Sequence, residues 1–312
     1  MRILMVFIDG FGLGSQDAAI NPLLVAEMPF IRKILSGGYL SREGIGEGII
    51  TANLVVKPTS ATLGTAGLPQ SATGQTALFT GINAAAVAGR HISGFPTNCL
   101  RELIKDVSIF KVISQAGGKA VFANTFTAEY FDTVERSKSR ARARRHSVTT
   151  TAALAGGCRL LMLPDLLDGE AVYQDIINEQ LRERGYEVPL LQPEQAAANL
   201  LKQAIKNDFT LFEYFQTDHC GHHQDFELAL ILLNRLDHFL QALAEGLGKH
   251  DLSLLVVSDH GNIEDLSVKT HTFNPVPTIA IGKDVSKFAP VKSLTDIYPA
   301  VLRSLGLHPY QN

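Results

Sequence analysis

At 312 residues the chain is long for one simple domain and has room for a core plus a smaller elaboration. Hydrophobic residues make up 46% and charged residues 19%, which excludes a disordered chain, and a formal charge of −3 excludes the global basic field that draws nucleic acid. Three scattered cysteines (Cys99, Cys158, Cys220) form no disulfide framework and lead us to expect a reducing, cytoplasmic setting, while ten histidines, several beside aspartates, point to metal chemistry.

In chain order, Ile3 to Ile8 is a short apolar run that breaks at Asp9-Gly10-Phe11-Gly12. It is too short, and ends too polar, for a signal peptide, and it reads as a buried strand. An amphipathic segment from about Leu100 to Ala116 leads through Gly117-Gly118 to a second strand, Lys119 to Ala123. Phe209 to Phe215 is a third strand and stops at Thr217-Asp218-His219; Leu252 to Val257 is a fourth and stops at Ser258-Asp259-His260-Gly261. Between these two, Phe226, Leu230, Leu233, Leu236, Leu240 and Leu243 recur at helical spacing over Asp225 to Leu247. Leu294 to Leu305 is a closing helix stopped by Gly306. Strands alternating with helices predict an α/β fold with a mostly parallel sheet sandwiched by helices. No stretch approaches the roughly 20 apolar residues that span a bilayer.

The stretch from Phe126 to Pro193 differs in texture, with a basic run, a Thr/Ala/Gly patch (Thr149 to Gly157) and an acidic segment through Tyr173, Asp175, Asn178 and Glu179. It reads as an inserted cap, dividing the chain into core residues 1–125, cap residues 126–193 and core residues 194–312. The basic run (Arg136, Lys138, Arg140, Arg142, Arg144, Arg145, His146) is either a solvated face or an extended edge aimed at substrate phosphate or carboxylate. The net acidic chain and the lack of aromatics interleaved in that run argue against a nucleic-acid module.

A lone aspartate at a strand end is usually a turn former. Here three of the four strands end in Asp followed by Gly or His, and in open α/β sheets ligands bind at the carboxyl ends of strands. Carboxylate oxygen and imidazole nitrogen both suit a borderline divalent ion, and the four-residue step from Asp218 to His222 lets both reach one point. Asp259 and His260 are adjacent, and past a strand end the chain can turn both towards one ion. His271, before Thr-Phe-Asn-Pro-Val-Pro, is a further candidate. The loop Gly67 to Thr76 supplies hydroxyls ahead of a helix expected from Thr76 onward. Such a hydroxyl is an N-cap in the plain reading and a metal-activated nucleophile in the sharper one.

In that order Asp9, the Ser71 loop, Asp218/His222, Asp259/His260 and His271 resemble the alkaline phosphatase superfamily, and within it the core of cofactor-independent phosphoglycerate mutase and phosphopentomutase. The resemblance rests on Phe-Ile-Asp9-Gly-Phe-Gly, Asp218-His-Cys-Gly221-His222, Ser-Asp259-His260-Gly-Asn-Ile-Glu264 and His271-Thr-Phe-Asn-Pro-Val-Pro. It implies two divalent ions, Mn or Zn, one held by Asp218, His222 and His271. The other would be held by Asp9, Asp259 and His260, with the Ser71 hydroxyl bridging towards it. The mutase serine is followed by Glu-Val-Gly-His, whereas Ser71-Ala-Thr-Gly74-Gln75 keeps the serine and glycine and substitutes glutamine for histidine. Ser71 is the first choice of nucleophile, Thr73 the second and Thr76 the third. The expectation is a phosphoester hydrolase on a small phosphorylated substrate, with a phosphomutase using a phosphoserine as the alternative and a non-catalytic metal-binding regulatory protein behind both. No nucleic-acid or membrane partner is expected.

Overall fold

The computed structural model describes residues 1–137, 146–248 and 250–308. Nine strands lie in two sheets: β1 (Arg2–Ile8), β2 (Ile49–Ile50), β3 (Leu54–Thr59), β4 (Ala120–Phe122), β5 (Thr125–Phe126), β6 (Leu161–Met162), β7 (Phe209–Tyr214), β8 (Leu252–Val257) and β9 (Val276–Gly282). The large sheet has the order β2-β3-β9-β8-β1-β7-β4, and β5 pairs with β6 alone. β8, β1, β7 and β4 run parallel; β9 is antiparallel to β8, β3 to β9 and β2 to β3, so five of the seven strands point the same way. The expected α/β sandwich with a mostly parallel sheet is therefore the fold observed. The two inner strands missed from the sequence, β3 and β9, carry Pro58 and Pro277 facing each other in register, and proline marks a run as non-strand in any local reading.

β1 sits at the centre, between β7 and β8, and its side chains alternate between two cores. Leu4, Val6 and Ile8 belong to one core; Ile3, Met5 and Phe7 belong to the other. Covering both faces explains why its sequence is an unbroken apolar run. The helices are α1 (Ser71–Thr80), α2 (Asn98–Val107), α3 (Ile109–Gln115), α4 (Ala128–Ser137), α5 (Val148–Ala155), α6 (Pro193–Lys206), α7 (Gln216–His223), α8 (Phe226–Gly246) and α9 (Ile297–Ser304), besides shorter turns. α6 and α8 supply the first core, and α1, α2, α3, α5 and α9 the second.

The predicted helix over Asp225 to Leu247 is α8. The amphipathic segment from Leu100 to Ala116 is two helices, broken where Ser108 takes an extended backbone (φ −62°, ψ 154°). The helix expected from Thr76 starts five residues earlier, at Ser71. Within the 126–193 stretch, α5 buries Val148, Ala152 and Ala153 in the main core, while a small separate cluster forms around Leu161, Leu166, Tyr173 and Leu181. The basic run lies outside the described residues from Lys138 to Arg145; His146 is described and its Nδ1 meets Tyr130 Oη at 2.7 Å.

Candidate metal centre

The strand register sets the site. Ile8 pairs with Tyr214 and Phe7 with Val257, so β1, β7 and β8 end at one level, and the residues just past each strand meet at one place. Asp9 follows β1, Asp218 sits in the first turn of α7 after β7, and Asp259 and His260 follow β8. Gly10 makes the meeting possible. Its φ is +67°, a left-handed conformation that L side chains avoid, and a Cβ there would lie 2.8 Å from the Asp218 Cβ and Oδ1.

Ser71 and the six candidate Asp and His ligands form one network. His260 Nε2 lies 3.0 Å from Ser71 Oγ, 3.2 Å from Asp9 Oδ1 and 3.5 Å from Asp259 Oδ2. His260 Nδ1 is 4.0 Å from Asp218 Oδ1, and the His260 ring stacks on that of His271 with centroids 3.6 Å apart. Asp218 reaches His222 Nε2 at 3.3 Å and His271 Nε2 at 3.5 Å. Two sets of potential ligand atoms are compact, Asp9/Asp259/His260 and Asp218/His260/His271, so His260 is within reach of both.

Second partners fix the imidazoles. His271 Nδ1 is 2.8 Å from the Pro69 carbonyl and His222 Nδ1 is 2.7 Å from the Lys269 carbonyl. Each Nδ1 therefore carries the proton, and the Nε2 lone pairs point at each other across 3.3 Å. Two facing lone pairs repel unless a cation lies between or beside them. Elsewhere in the network, the buried Asp9 Oδ1 and His260 Nδ1 have no hydrogen-bond partner among the described residues. Burial, then the charges of Asp259, Asp218 and Glu213, hold the Asp9 carboxyl well above the usual carboxylate range. Burial likewise pushes Asp259 up to about 8, against the lowering effect of the Gln75 amide. His260 and His271 are both held below the ordinary histidine value, chiefly by burial. A dry cluster of carboxylates facing neutral imidazoles is costly to keep without positive charge, and its mixed oxygen and nitrogen donors fit a divalent transition ion.

Ser71 is the first residue of α1, where first-turn N–H groups have no partner within the helix, and its hydroxyl faces the network. The structure does not bring the other two hydroxyls to the cluster. Thr73 is fully buried, with Oγ1 3.2 Å from the Gln70 carbonyl and 3.4 Å from His91 Nδ1, and it accepts from the Ile92 N–H at 3.3 Å. Thr76 donates back to the Ala72 carbonyl at 2.6 Å. Helical geometry is the reason: with the helix starting at Ser71, residues two and five positions on point to other faces.

Four supporting residues were given no role in the site from the sequence. Gln75 Nε2, one turn beyond Ser71, donates to Asp259 Oδ2 at 3.0 Å and to Asp9 Oδ2 at 3.3 Å. Glu264 is buried and its two oxygens accept from the Gly12 and Asn262 N–H groups (3.0 and 2.7 Å), Thr272 Oγ1 (2.5 Å) and Asn274 Nδ2 (3.0 Å). It ties the loops after β1 and β8 to the segment carrying His271. Glu213, inside β7, is pushed up to about 7 by burial and accepts from Thr149 Oγ1 at 2.7 Å. The signal for Glu213 was present: a carboxylate inside an otherwise apolar strand. Asn262 Nδ2 completes the support by donating to Asp218 Oδ1 at 2.7 Å.

With this geometry established, the similarities to known proteins are specific. Residues 176–309, which carry Asp218, His222, Asp259, His260 and His271, match the Metalloenzyme superfamily. The match covers less than half of the chain, and the chain as a whole has the fold of alkaline phosphatases. The fold likeness is to the alkaline phosphatase of the Antarctic bacterium TAB5 (TM-score 0.52, 13% identity, 98% of each chain) and to the PH0037 protein of Pyrococcus horikoshii (TM-score 0.58, 14% identity, 98% of this chain and 96% of that one). Among curated proteins, the 2,3-bisphosphoglycerate-independent phosphoglycerate mutase of Pseudomonas fluorescens is 33% identical over 130 residues, 38% of this chain. That of an Enterobacter species is 30% identical over the same length. The chain spans about a quarter of the length of these relatives (26% and 25%). No described helix is long and apolar enough to cross a membrane.

Proposed function

We propose that the chain is a divalent-metal-dependent phosphoryl-transfer enzyme, a phosphoester hydrolase acting on a small phosphorylated substrate through Ser71. Asp9, Asp259 and His260 would hold one Mn or Zn ion and Asp218, His222 and His271 a second. The observation that carries the reading is the position of Ser71 Oγ, at the N-terminus of α1 and 3.0 Å from His260 Nε2 at the edge of the carboxylate cluster. The positive end of the helix favours an incoming phosphate there. Bound metal supplies a lowered hydroxyl pKa and neutralises phosphoryl oxygens. Ser71 Oγ forms the new P–O bond as the bond to the leaving oxygen breaks, giving a phosphoserine; water then attacks that phosphorus and returns the serine. If a hydroxyl of the bound substrate replaces water, the same site is a phosphomutase, and the 33% identity to a phosphoglycerate mutase over 130 residues favours keeping that second reading.

The test is turnover of p-nitrophenyl phosphate and bis-p-nitrophenyl phosphate after reconstitution with Mn²⁺ or Zn²⁺, with Ser71→Ala alongside. We expect metal-dependent turnover that falls by about 10³-fold or more in Ser71→Ala, as on loss of other nucleophiles that act within a constellation. Turnover undiminished in Ser71→Ala would overturn the assignment of the nucleophile. Metal binding with no cleavage of either ester would favour the mutase.

A further inference from the structure

The metal-type cluster is one end of a cavity of about 680 Å³, and the rest of that cavity mixes aromatic with polar side chains. Asp9, Ser71, Asp218 and His222 line the acidic end. Beyond them the walls include Phe95, Phe122, Phe126, Tyr130, Tyr173 and Phe215. Phe126 and Tyr130 meet edge to face with centroids 4.9 Å apart, and Phe122 meets Phe126 the same way at 5.8 Å. Phe95 also lines the cavity and is half exposed (50%). Its segment is strapped to the start of α1, because the Ile92 N–H donates to Thr73 Oγ1 and the Thr73 N–H to the Ile92 carbonyl (3.3 and 3.4 Å).

Charge on the described lining residues disfavours a second anionic group on the substrate. Among the described lining residues Arg184 is the one lysine or arginine, and it is engaged by Tyr173 Oη at 3.0 Å and Glu129 Oε2 at 3.6 Å. Glu129 and Glu213 also line the cavity, so a carboxylate on the leaving group would face carboxylates. A planar ring meets better partners, since π-faces and edges stack favourably, and a pocket of several hundred Å³ holds a ring system with its ester phosphate. Asn124, Ser147, Thr150 and Gln174 supply polar groups for the edges of such a ring.

We propose that the substrate is a phosphoester whose leaving group carries a planar aromatic ring, seated against the cavity aromatics Phe95, Phe126 and Tyr130. This rests on the phosphoryl-transfer reading and narrows it to a substrate class.

The test is calorimetric titration of the Mn²⁺-loaded chain with non-hydrolysable phosphonates: methylphosphonate, benzylphosphonate and cyclohexylmethylphosphonate. Benzylphosphonate is expected to bind about tenfold or more tightly than methylphosphonate, the scale of one ring stacking on aromatic side chains, and clearly more tightly than the cyclohexyl compound. In Phe95→Ala the benzyl-to-methyl ratio should fall towards one, and Phe95→Trp should restore it. Equal affinities, a cyclohexyl compound that binds as well as the benzyl one, or a ratio unchanged in Phe95→Ala would each overturn the proposal. If methylphosphonate binds and p-nitrophenyl phosphate is cleaved while the ratio is near one, the substrate class fails and the phosphoryl-transfer reading stands. If no phosphonate binds, both fail.

Discussion

Gln75 occupies the position where the mutase motif has histidine, and its amide bridges the two carboxylates at the heart of the site. A neutral donor there orients Asp9 and Asp259 without adding a ligand nitrogen. Gln75→Ala is expected to weaken metal binding by about 10- to 100-fold, the usual range for lost outer-sphere partners, as read by calorimetric titration with Mn²⁺. Asp259 and Glu213 set a pH dependence. Their folded pKa values are raised, to about 8 and about 7, so between the unfolded values and these the folded state binds more protons than the unfolded state. Stability without metal therefore falls as pH rises through that range. His260 and His271 act oppositely but only below the ordinary histidine value of about 6.5, where unfolding takes up protons and stability rises with pH. The clear window is about pH 6.5 to 8. In EDTA the melting temperature should decline across that window and decline less in Asp259→Asn; a flat wild-type profile would contradict the burial argument.

The strand-end loops depend on a few contacts that no single motif displays. Glu264 accepts four hydrogen bonds, two from backbone N–H groups and two from side chains. Glu264→Gln turns one acceptor oxygen into a donor facing donors, which costs about 1–3 kcal/mol by loss of buried hydrogen bonding. The loss is expected in denaturant unfolding, together with weaker metal binding because the His271 segment is released. Gly10→Ala adds a Cβ to a left-handed residue packed on Asp218, at a cost of about 1–2 kcal/mol for the backbone alone. It should lower the denaturation midpoint more than Gly89→Ala, another left-handed glycine, whose added Cβ would meet nothing within 4 Å.

For the whole molecule, the chain before residue 81, the α7 turn and the segment after β8 all supply residues to one cluster, and metal bound there would bridge parts of the chain far apart in sequence. Ligand that binds only the folded state stabilises it by mass action, about 2.7 kcal/mol at a hundredfold excess over Kd. Mn²⁺ or Zn²⁺ should therefore raise the melting temperature in a concentration-dependent way, and by more at pH 8 than at pH 6.5, because ligands must lose protons to bind. An unchanged melting temperature across a metal titration would count against the centre as a metal site.

Much of this was legible in one dimension. β1, β7 and β8 are buried on both faces and so appear as largely apolar runs, and α8 shows its buried stripe at helical spacing. Because parallel strands deliver their carboxyl ends to one edge, the aspartates that stop those runs announced a common crevice. What only the tertiary structure decided depends on partners distant in the chain. Pro58 and Pro277 hide two strands that become strands by pairing with each other and with β8. Ser71 was separated from Thr73 and Thr76 by the register of α1, which its packing on the sheet sets. Gln75, Glu213 and Glu264 have ordinary polar side chains whose weight in the site comes from burial and from the groups that face them, and neither quantity exists until the chain is folded.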